Sequence, residues 1–587
     1  MTTGLKETGN NGNSDVASIN INPVEMIARL RRHASMLAAR NNSNINDDDN
    51  NNGNDGDGIY SDDELHSFIS MYVRREIPDY QMSAWLMAVC FCPLTSRETA
   101  TLTRCYAESG TLLTWPTNVE VDIDIDIDSS SNNNSSDIQI QRQRQRQRRR
   151  PPLVDKHSSG GVGDKISLIL APLVATCGVA VPMMAGRGLG HTGGTIDKLE
   201  TSFPAYTAEP SVQDFQEIVL GKRSTATSTT TTTTTNNNNN NNNNGAQTEN
   251  AHETKGVGCA IVAAGPALCP ADRRIYALRD VTATVSCLPL QTASIMSKKI
   301  AERPDSLVLD VKYGDGAFQA TVEGAQELAE SMVAVGEANG LTPTTAFLTD
   351  MNHPIGRAVG NWVEVEECID VMKGNLKDDR LRLGRDLIAL VVIQAGQMLY
   401  QSSSSKRTNN GNENPGETEQ EEDECIGGIA AAKLVSTPAS ALTGDEEESY
   451  KQYERMSLND CIRHAYRVLD SGRVLDKFRQ MLLAQGAEPT HLQRALETPE
   501  AIPLAAFKAV WTYQDKDTDA ETATNPAATY IVDIPAKTMG DVAVLVGAGR
   551  TVASDKVDGQ AGLVFGKQTG DLVASGEIIV TIYTNRS

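Results

Sequence analysis

Between Asp155 and Glu200 the chain gathers residue types that can hold an anion: nine glycines, two histidines, Lys156 and Arg187 in glycine-rich turns, and several hydroxyls. The first turn reads Lys156-His157-Ser158-Ser159-Gly160-Gly161-Val162-Gly163-Asp164. Lysine supplies a point charge and serine an O–H donor. The glycines leave backbone amides open to close approach, just ahead of a helix expected from near Asp164. These are the parts that hold inorganic phosphate. His157 stands beside them with a side chain that titrates near neutral pH and can donate a proton; a lone histidine can instead be a hydrogen-bonded bystander, but the flanking lysine and glycines favour the functional reading.

The second turn, 186–195, contains a GxGxxG match at Gly188, Gly190 and Gly193, which makes a dinucleotide site an alternative. Such a match should open a helix directly, yet this one runs on into Gly194-Thr195-Ile196-Asp197. The sequence has no GxxxxGK[ST] loop either. Two glycine turns with a lysine in the first suit one phosphate better than a dinucleotide.

Positioning such turns takes strands that end in them and helices that follow. Val179–Met183, Gly258–Ala263 and Leu307–Val311 are short, branched, continuous apolar runs, as in strands covered on both faces. Helical patterns over Ile166–Thr176, Thr292–Glu302, Glu323–Asn339 and Arg385–Tyr400 alternate with them, which predicts an α/β domain with a mainly parallel sheet. Upstream, Asn22-Pro23 and the capping box at Ser61-Asp62-Asp63-Glu64 start helices, and two more are expected over Asp79–Cys92 and Thr95–Ser109. Downstream, a helical stretch over Ser457–Gln485 precedes a Val/Ile/Gly-rich end from Tyr530 to Tyr583, read as a small α+β unit.

The 587 residues, 39% of them hydrophobic, are enough for two to four domains. The Asn, Thr, Ser and Glu tracts at 41–54, 129–136, 229–244 and 402–423 are too polar to form a core and read as loop insertions. The resulting division is an N-terminal helical domain at 19–116, a low-complexity linker at 117–152, and an α/β domain at 153–400 interrupted at 224–254. A second linker at 401–424 and a C-terminal α+β domain at 425–587 complete it.

A net charge of −23 argues against nucleic-acid binding. The run QRQRQRQRRR at 141–150 carries no interleaved aromatic residues and reads as a solvated linker that could pair with the Ile/Asp alternation at 122–128. Ten cysteines without a second Cys or His pair at metal spacing read as reduced buried thiols, not a zinc site. The opening residues lack a secretory apolar core and no apolar run reaches 18 residues, so a cytoplasmic protein without membrane spans is expected.

Several long stretches, DKHSSGGVGDK, GRGLGHTGGTIDKLE, YALRDVTATV, TASIMSKK, LVLDVKYGDGAF, LTDMNHPIGRAVGNWVEVEE and GAGRTVASDKVDGQAGLVFGKQTGDLV, occur in order and together resemble the thymidine and pyrimidine-nucleoside phosphorylase family. The resemblance covers nearly all of the chain outside the insertions. It implies reversible phosphorolysis of thymidine, with phosphate as co-substrate and no cofactor. It also implies a site between a helical domain and an α/β domain, the helical domain completed by a piece within 195–222, and a homodimer through that domain. By the family pattern Lys156, Ser158, Ser167 and Thr195 bind phosphate. His157, Arg279, Ser294 and Lys298 face the pyrimidine, with His157, Arg279 and Lys298 stabilising the departing base. A broader pyrimidine-nucleoside phosphorylase that also accepts uridine is the first alternative, and a phosphoribosyltransferase on the same fold is a second that these base-facing motifs disfavour. Two departures stand out. Ala185 replaces the usual serine before GRGLG. In addition, the potassium ion that bacterial relatives can hold would fall near Gly163, Lys165, Ile355, Ala358 and Glu367, where Lys165 already brings a positive charge, so no metal is expected.

Overall fold

The computed structural model describes residues 21–42, 58–120, 147–221, 256–404, 453, 456–514 and 529–586, except 189, 192, 266 and 552–554. The insertions at 41–54, 129–136, 224–254 and 402–423, the alternating run at 122–128 and residues 425–452 lie wholly or largely outside them.

Capping sets the first boundaries. The Asn22 side chain accepts from the Val24 amide at 3.0 Å at the start of α1 (Pro23–Asn42). Reciprocal capping boxes, Ser61 with Glu64 and Thr95 with Glu98, open α2 (Asp62–Val73) and α4 (Ser96–Glu108), with α3 (Asp79–Phe91) between them. Leu65, Phe68, Ile69 and Tyr72 of α2 and Met82, Trp85 and Leu86 of α3 repeat at helical spacing and meet in one apolar core.

The chain then forms an antiparallel ribbon of β1 (Asn118–Glu120) and β2 (Gln147–Arg149). The end of the glutamine/arginine run is therefore a strand with Arg149 exposed, and Arg150 beside it is anchored by Asp305 through bonds of 2.6 and 2.8 Å.

Beyond the ribbon come β3 (Val154–Ser158), α5 (Ile166–Thr176), β4 (Val181–Ala185), α6 (Thr195–Ser202), α7 (Val212–Leu220) and β5 (Cys259–Ala263). Next are α8 (Pro270–Val281), α9 (Leu288–Glu302), β6 (Ser306–Tyr313), α10 (Val322–Ala338) and β7 (Thr344–Asp350). Strands β3, β6 and β7 pair in parallel, as do β4 and β5. A parallel bridge from Leu153 to Ala180 joins the two sets in the order β5-β4-β3-β6-β7.

The helical bundle is completed by α8 and α9, whose Ala271, Ile275, Leu290 and Ala293 enter the core of α1–α4. This corrects the expectation that a piece of 195–222 does so. Ile196 and Leu199 of α6 pack with Met183 and Ile261 of the sheet, and Phe215 and Val219 of α7 pack with Ala180, Met184 and Ala260. An apolar stripe shows that a helix face is covered without saying by which neighbour.

After β8 (Ala358–Gly360), α11 (Trp362–Met372) and α12 (Arg385–Ser404), the described residues continue with α13 (Leu458–Asp470), α14 (Arg473–Ala484) and α15 (Pro489–Glu497). Gly472, at φ +77°, divides the expected helical stretch between α13 and α14. Cys461, Ala465, Leu469, Phe478, Met481 and Leu492 share the core of α5 and α12, so 458–497 packs with the α/β domain, not with the C-terminal unit with which the sequence grouped it.

The C-terminal unit itself contains β9 (Phe507–Thr512), β10 (Thr529–Tyr530), α16 (Ala536–Val546), β11 (Gly562–Phe565), β12 (Leu572–Val573) and β13 (Ile578–Thr584). Its antiparallel sheet runs β8-β11-β13-β9 and so takes one strand from the middle of the chain. Among the described residues the cysteines are free, and no helix is long and apolar enough to cross a membrane.

Candidate active site

Strand β3 sits at the switch point of the sheet. The chain leaves it toward β4 on one side and later returns to β6 on the other, which leaves a crevice at the carboxyl ends of the strands. Lys156, His157 and Ser158 are the last residues of β3, with Ser158 opposite Asp310 of β6.

The sheet side of the crevice is a cluster of buried charges. Lys156 is 1% exposed. Its ammonium lies 3.3 Å from Asp310 Oδ2 yet has no hydrogen-bond partner among the described residues. Asp310 is already held by others. Lys312 Nζ donates to both of its oxygens at 2.9 and 2.8 Å, and Thr349 Oγ1 donates to Oδ1 at 2.6 Å. Burial pushes the Asp310 carboxyl up, but the charges of Lys312 and Lys156 outweigh it and hold the group below its usual range. Asp164 is also depressed against the effect of burial, by Lys312, Lys156 and a 2.5 Å bond from Ser158 Oγ. Ser167 is buried in the first turn of α5, and Thr195 is the first residue of α6, half-buried, so both hydroxyls stand at helix N-termini. Ala185 ends β4 with no hydroxyl to add.

Helix α9 carries Ser294, which is buried, and Lys298 one turn on, which is partly exposed. Lys298 Nζ donates to the Ser294 carbonyl at 2.7 Å and to the Asp272 carboxylate of α8, and it keeps some exposure. Ser294 is 5% exposed. His157 is half-buried. Burial first, then the charges of Lys299, Lys298 and Lys156, push its imidazole well below its ordinary pKa. The ring is therefore neutral at pH 7 and offers an N–H, not an imidazolium. Beneath it Lys299 bonds Asp155, the Met184 carbonyl at 2.9 Å and Glu302 at 3.1 Å.

The structure thus brings Lys156, His157, Ser158 and Lys298 into one electrostatic neighbourhood. Arg279 differs. It is 1% exposed, and its guanidinium donates to the carbonyls of Thr284 at 3.3 Å, Leu290 at 3.0 Å and Val285 at 2.6 Å, bracing the turn between α8 and α9. Arg187, the second cation of the glycine turns, pairs with Glu200 and not with the crevice. That turn is instead fixed by Asp197, which accepts from the Gly188 amide at 2.7 Å and from Arg550 of the C-terminal unit at 2.6 Å.

Sequence reasoning missed Asp272, Lys299, Asp310 and Lys312. A signal existed for the last two: an acid and a base at strand spacing inside the apolar run 306–313 cannot both be solvated and must pair indoors. Among the described residues no group of three or more His, Cys, Asp or Glu side chains is placed to hold a metal.

Residues 55–110 match the helical bundle domain of the glycosyl transferase family, 150–219 and 239–419 its a/b domain, and 530–587 the pyrimidine nucleoside phosphorylase C-terminal domain. A pyrimidine-nucleoside phosphorylase of Staphylococcus haemolyticus (strain JCSC1435) is 33% identical over 526 residues, which is 90% of this chain and 89% of the relative. The chain belongs to the pyrimidine-nucleoside phosphorylase family. A second member, from Staphylococcus aureus (strain bovine RF122 / ET3-1), is 33% identical over 524 residues, 89% of this chain and 88% of the relative. Among solved structures, an anthranilate phosphoribosyltransferase from Thermus thermophilus covers 73% of this chain and 96% of its own at 13% identity, with a TM-score of 0.40.

Proposed function

We propose that this member of the family catalyses the reversible phosphorolysis of thymidine, giving thymine and 2-deoxyribose 1-phosphate. The observation that carries the reading is the buried ammonium of Lys156 at the switch-point crevice, 3.3 Å from Asp310 but without a hydrogen bond among the described residues, with Ser158 ending the same strand and Ser167 and Thr195 in the first turns of α5 and α6. A buried ammonium whose N–H groups go unused is costly unless acceptors complete it, and phosphate oxygens would supply them. Phosphate held there presents an oxygen to the anomeric carbon; the new C–O bond forms as the C–N bond breaks, and the electron pair leaves with the pyrimidine. Lys298 and the neutral His157 supply donors to the base as its charge develops, and Asp272 orients Lys298. Ser294 beside them would read the ring edge. In this reading Arg279 contributes positive charge from behind the turn that it braces. The molecule would act as a homodimer through the helical bundle, consistent with Tyr80, Met87 and Phe91 exposed along one stripe of α3; a monomeric mass by light scattering would refute that part.

The test is purified full-length protein with thymidine, 2′-deoxyuridine or uridine, with and without phosphate, followed for free base. Phosphate-dependent release of thymine is expected, faster than release of uracil from uridine. Equal rates on uridine would replace the thymidine reading with a broader pyrimidine-nucleoside phosphorylase. Release without phosphate, or none, would sink both.

A further inference from the structure

Lys165 lies at the far end of the phosphate turn and is fully buried. Its three N–H bonds meet three acceptors: the Ile355 carbonyl at 2.8 Å, the Ala358 carbonyl at 2.9 Å and Glu367 Oε2 at 2.7 Å. Glu367 is itself fixed, accepting from the Arg357 amide at 2.8 Å through Oε1 and from the Ala358 amide at 3.1 Å through Oε2. Two glycines close the walls. A Cβ on Gly163, at φ +70°, would meet the Ile355 and Ala358 carbonyls at 2.8 and 3.2 Å, and one on Gly356, at φ +71°, would meet Glu367 Oε1 at 2.5 Å.

These oxygens are the ones to which the family resemblance would assign a potassium ion. The residues do not fit a separate ion, because a cation centred among the three oxygens would coincide with Lys165 Nζ. We propose that the Lys165 ammonium is a covalently tethered replacement for that cation, so the protein needs no monovalent ion. Lys165 is then a positioning residue. It binds the start of α5, and with it Ser167 and the glycine turn, to the 355–358 loop and to α11. The geometry of the cage carries this inference, and only the comparison with a metal ion rests on family membership.

The experiment uses the full-length protein in KCl, NaCl or tetramethylammonium chloride at equal ionic strength, read by melting temperature and by the KM for phosphate. The wild type is expected to give the same values in all three salts. Lys165→Thr removes the ammonium and leaves the oxygens. It should melt several degrees lower in tetramethylammonium, regain that difference saturably with potassium, and show a phosphate KM raised about tenfold that potassium restores. Lys165→Met fills the space without donors and should respond to no salt. A wild type whose melting temperature rises when potassium replaces tetramethylammonium overturns the proposal, as does a folded Lys165→Thr indifferent to potassium. If Lys165→Thr does not fold, the wild-type comparison decides alone. Melting does not require turnover, so a chain inactive on thymidine would fail the functional reading and leave this test intact.

Discussion

The turn from 156 to 165 begins and ends in a buried lysine, and its two ends are built oppositely. At the β3 end, Lys156 faces a carboxylate already saturated by Lys312 and Thr349 and has no hydrogen bond of its own. At the α5 end, every N–H of Lys165 is used. Buried ammonium groups are therefore not equivalent. In the function proposed above the one without hydrogen bonds would take a ligand, whereas the satisfied one holds the chain.

The largest expected effect breaks the satisfied end. Lys165→Met leaves Glu367 buried without its counter-charge and should cost about 3–5 kcal/mol of stability, measured by denaturant unfolding. Lys156→Met at the other end should leave stability nearly intact, because Asp310 keeps Lys312, while kcat/KM for phosphate falls on the order of 10²–10³-fold. A Lys156→Met protein that loses as much stability as Lys165→Met while keeping the wild-type kcat/KM for phosphate would erase the contrast.

Arg279→Lys probes a third arrangement. If the guanidinium braces the turn, losing its carbonyl contacts should cost about 1–3 kcal/mol in unfolding experiments; if it serves only the base, melting stays unchanged and the KM for thymidine rises.

His157 sets a pH window. Its native pKa lies below the unfolded value of about 6.5, so below that pH the unfolded chain binds a proton that the native chain refuses. Stability attributable to this residue is complete above the unfolded pKa. It should fall as pH drops through that value by at most about 1.4 kcal/mol per unit, and His157→Gln should remove this part of the slope when unfolding is compared at pH 7.5 and about 5.5. The smallest effect is at Ala185. Ala185→Ser adds one donor and should lower the phosphate KM by a few fold, about 0.5–1.5 kcal/mol.

Much of the fold was legible because local chemistry decides it. The capping boxes at Ser61 and Thr95, the apolar run 166–176 and the branched strands reappear nearly at their expected bounds. Partner choice was not legible. Residues 270–302, not 195–222, complete the bundle, and 458–497 joins the sheet domain, because periodicity reports burial without naming the covering surface. The site shows the same division. Residue types singled out Lys156 and the family resemblance singled out Lys298, but the occupation of Arg279 by three carbonyls depends on the turn at 282–287, whose geometry no spacing encodes.

Ala358 serves two structures at once. Its carbonyl holds Lys165, and its backbone pairs with Val564 as the edge of the C-terminal sheet. The unit of inheritance is therefore larger than the stretch 530–587 that sequence comparison delimits. A recombination that transplanted that stretch alone would leave β11 without its neighbour β8 and expose an open sheet edge in the recipient. Exchange between lineages would succeed only where the recipient already possesses a strand equivalent to 358–360, which makes the C-terminal unit a dependent passenger and not a freely shuffled part.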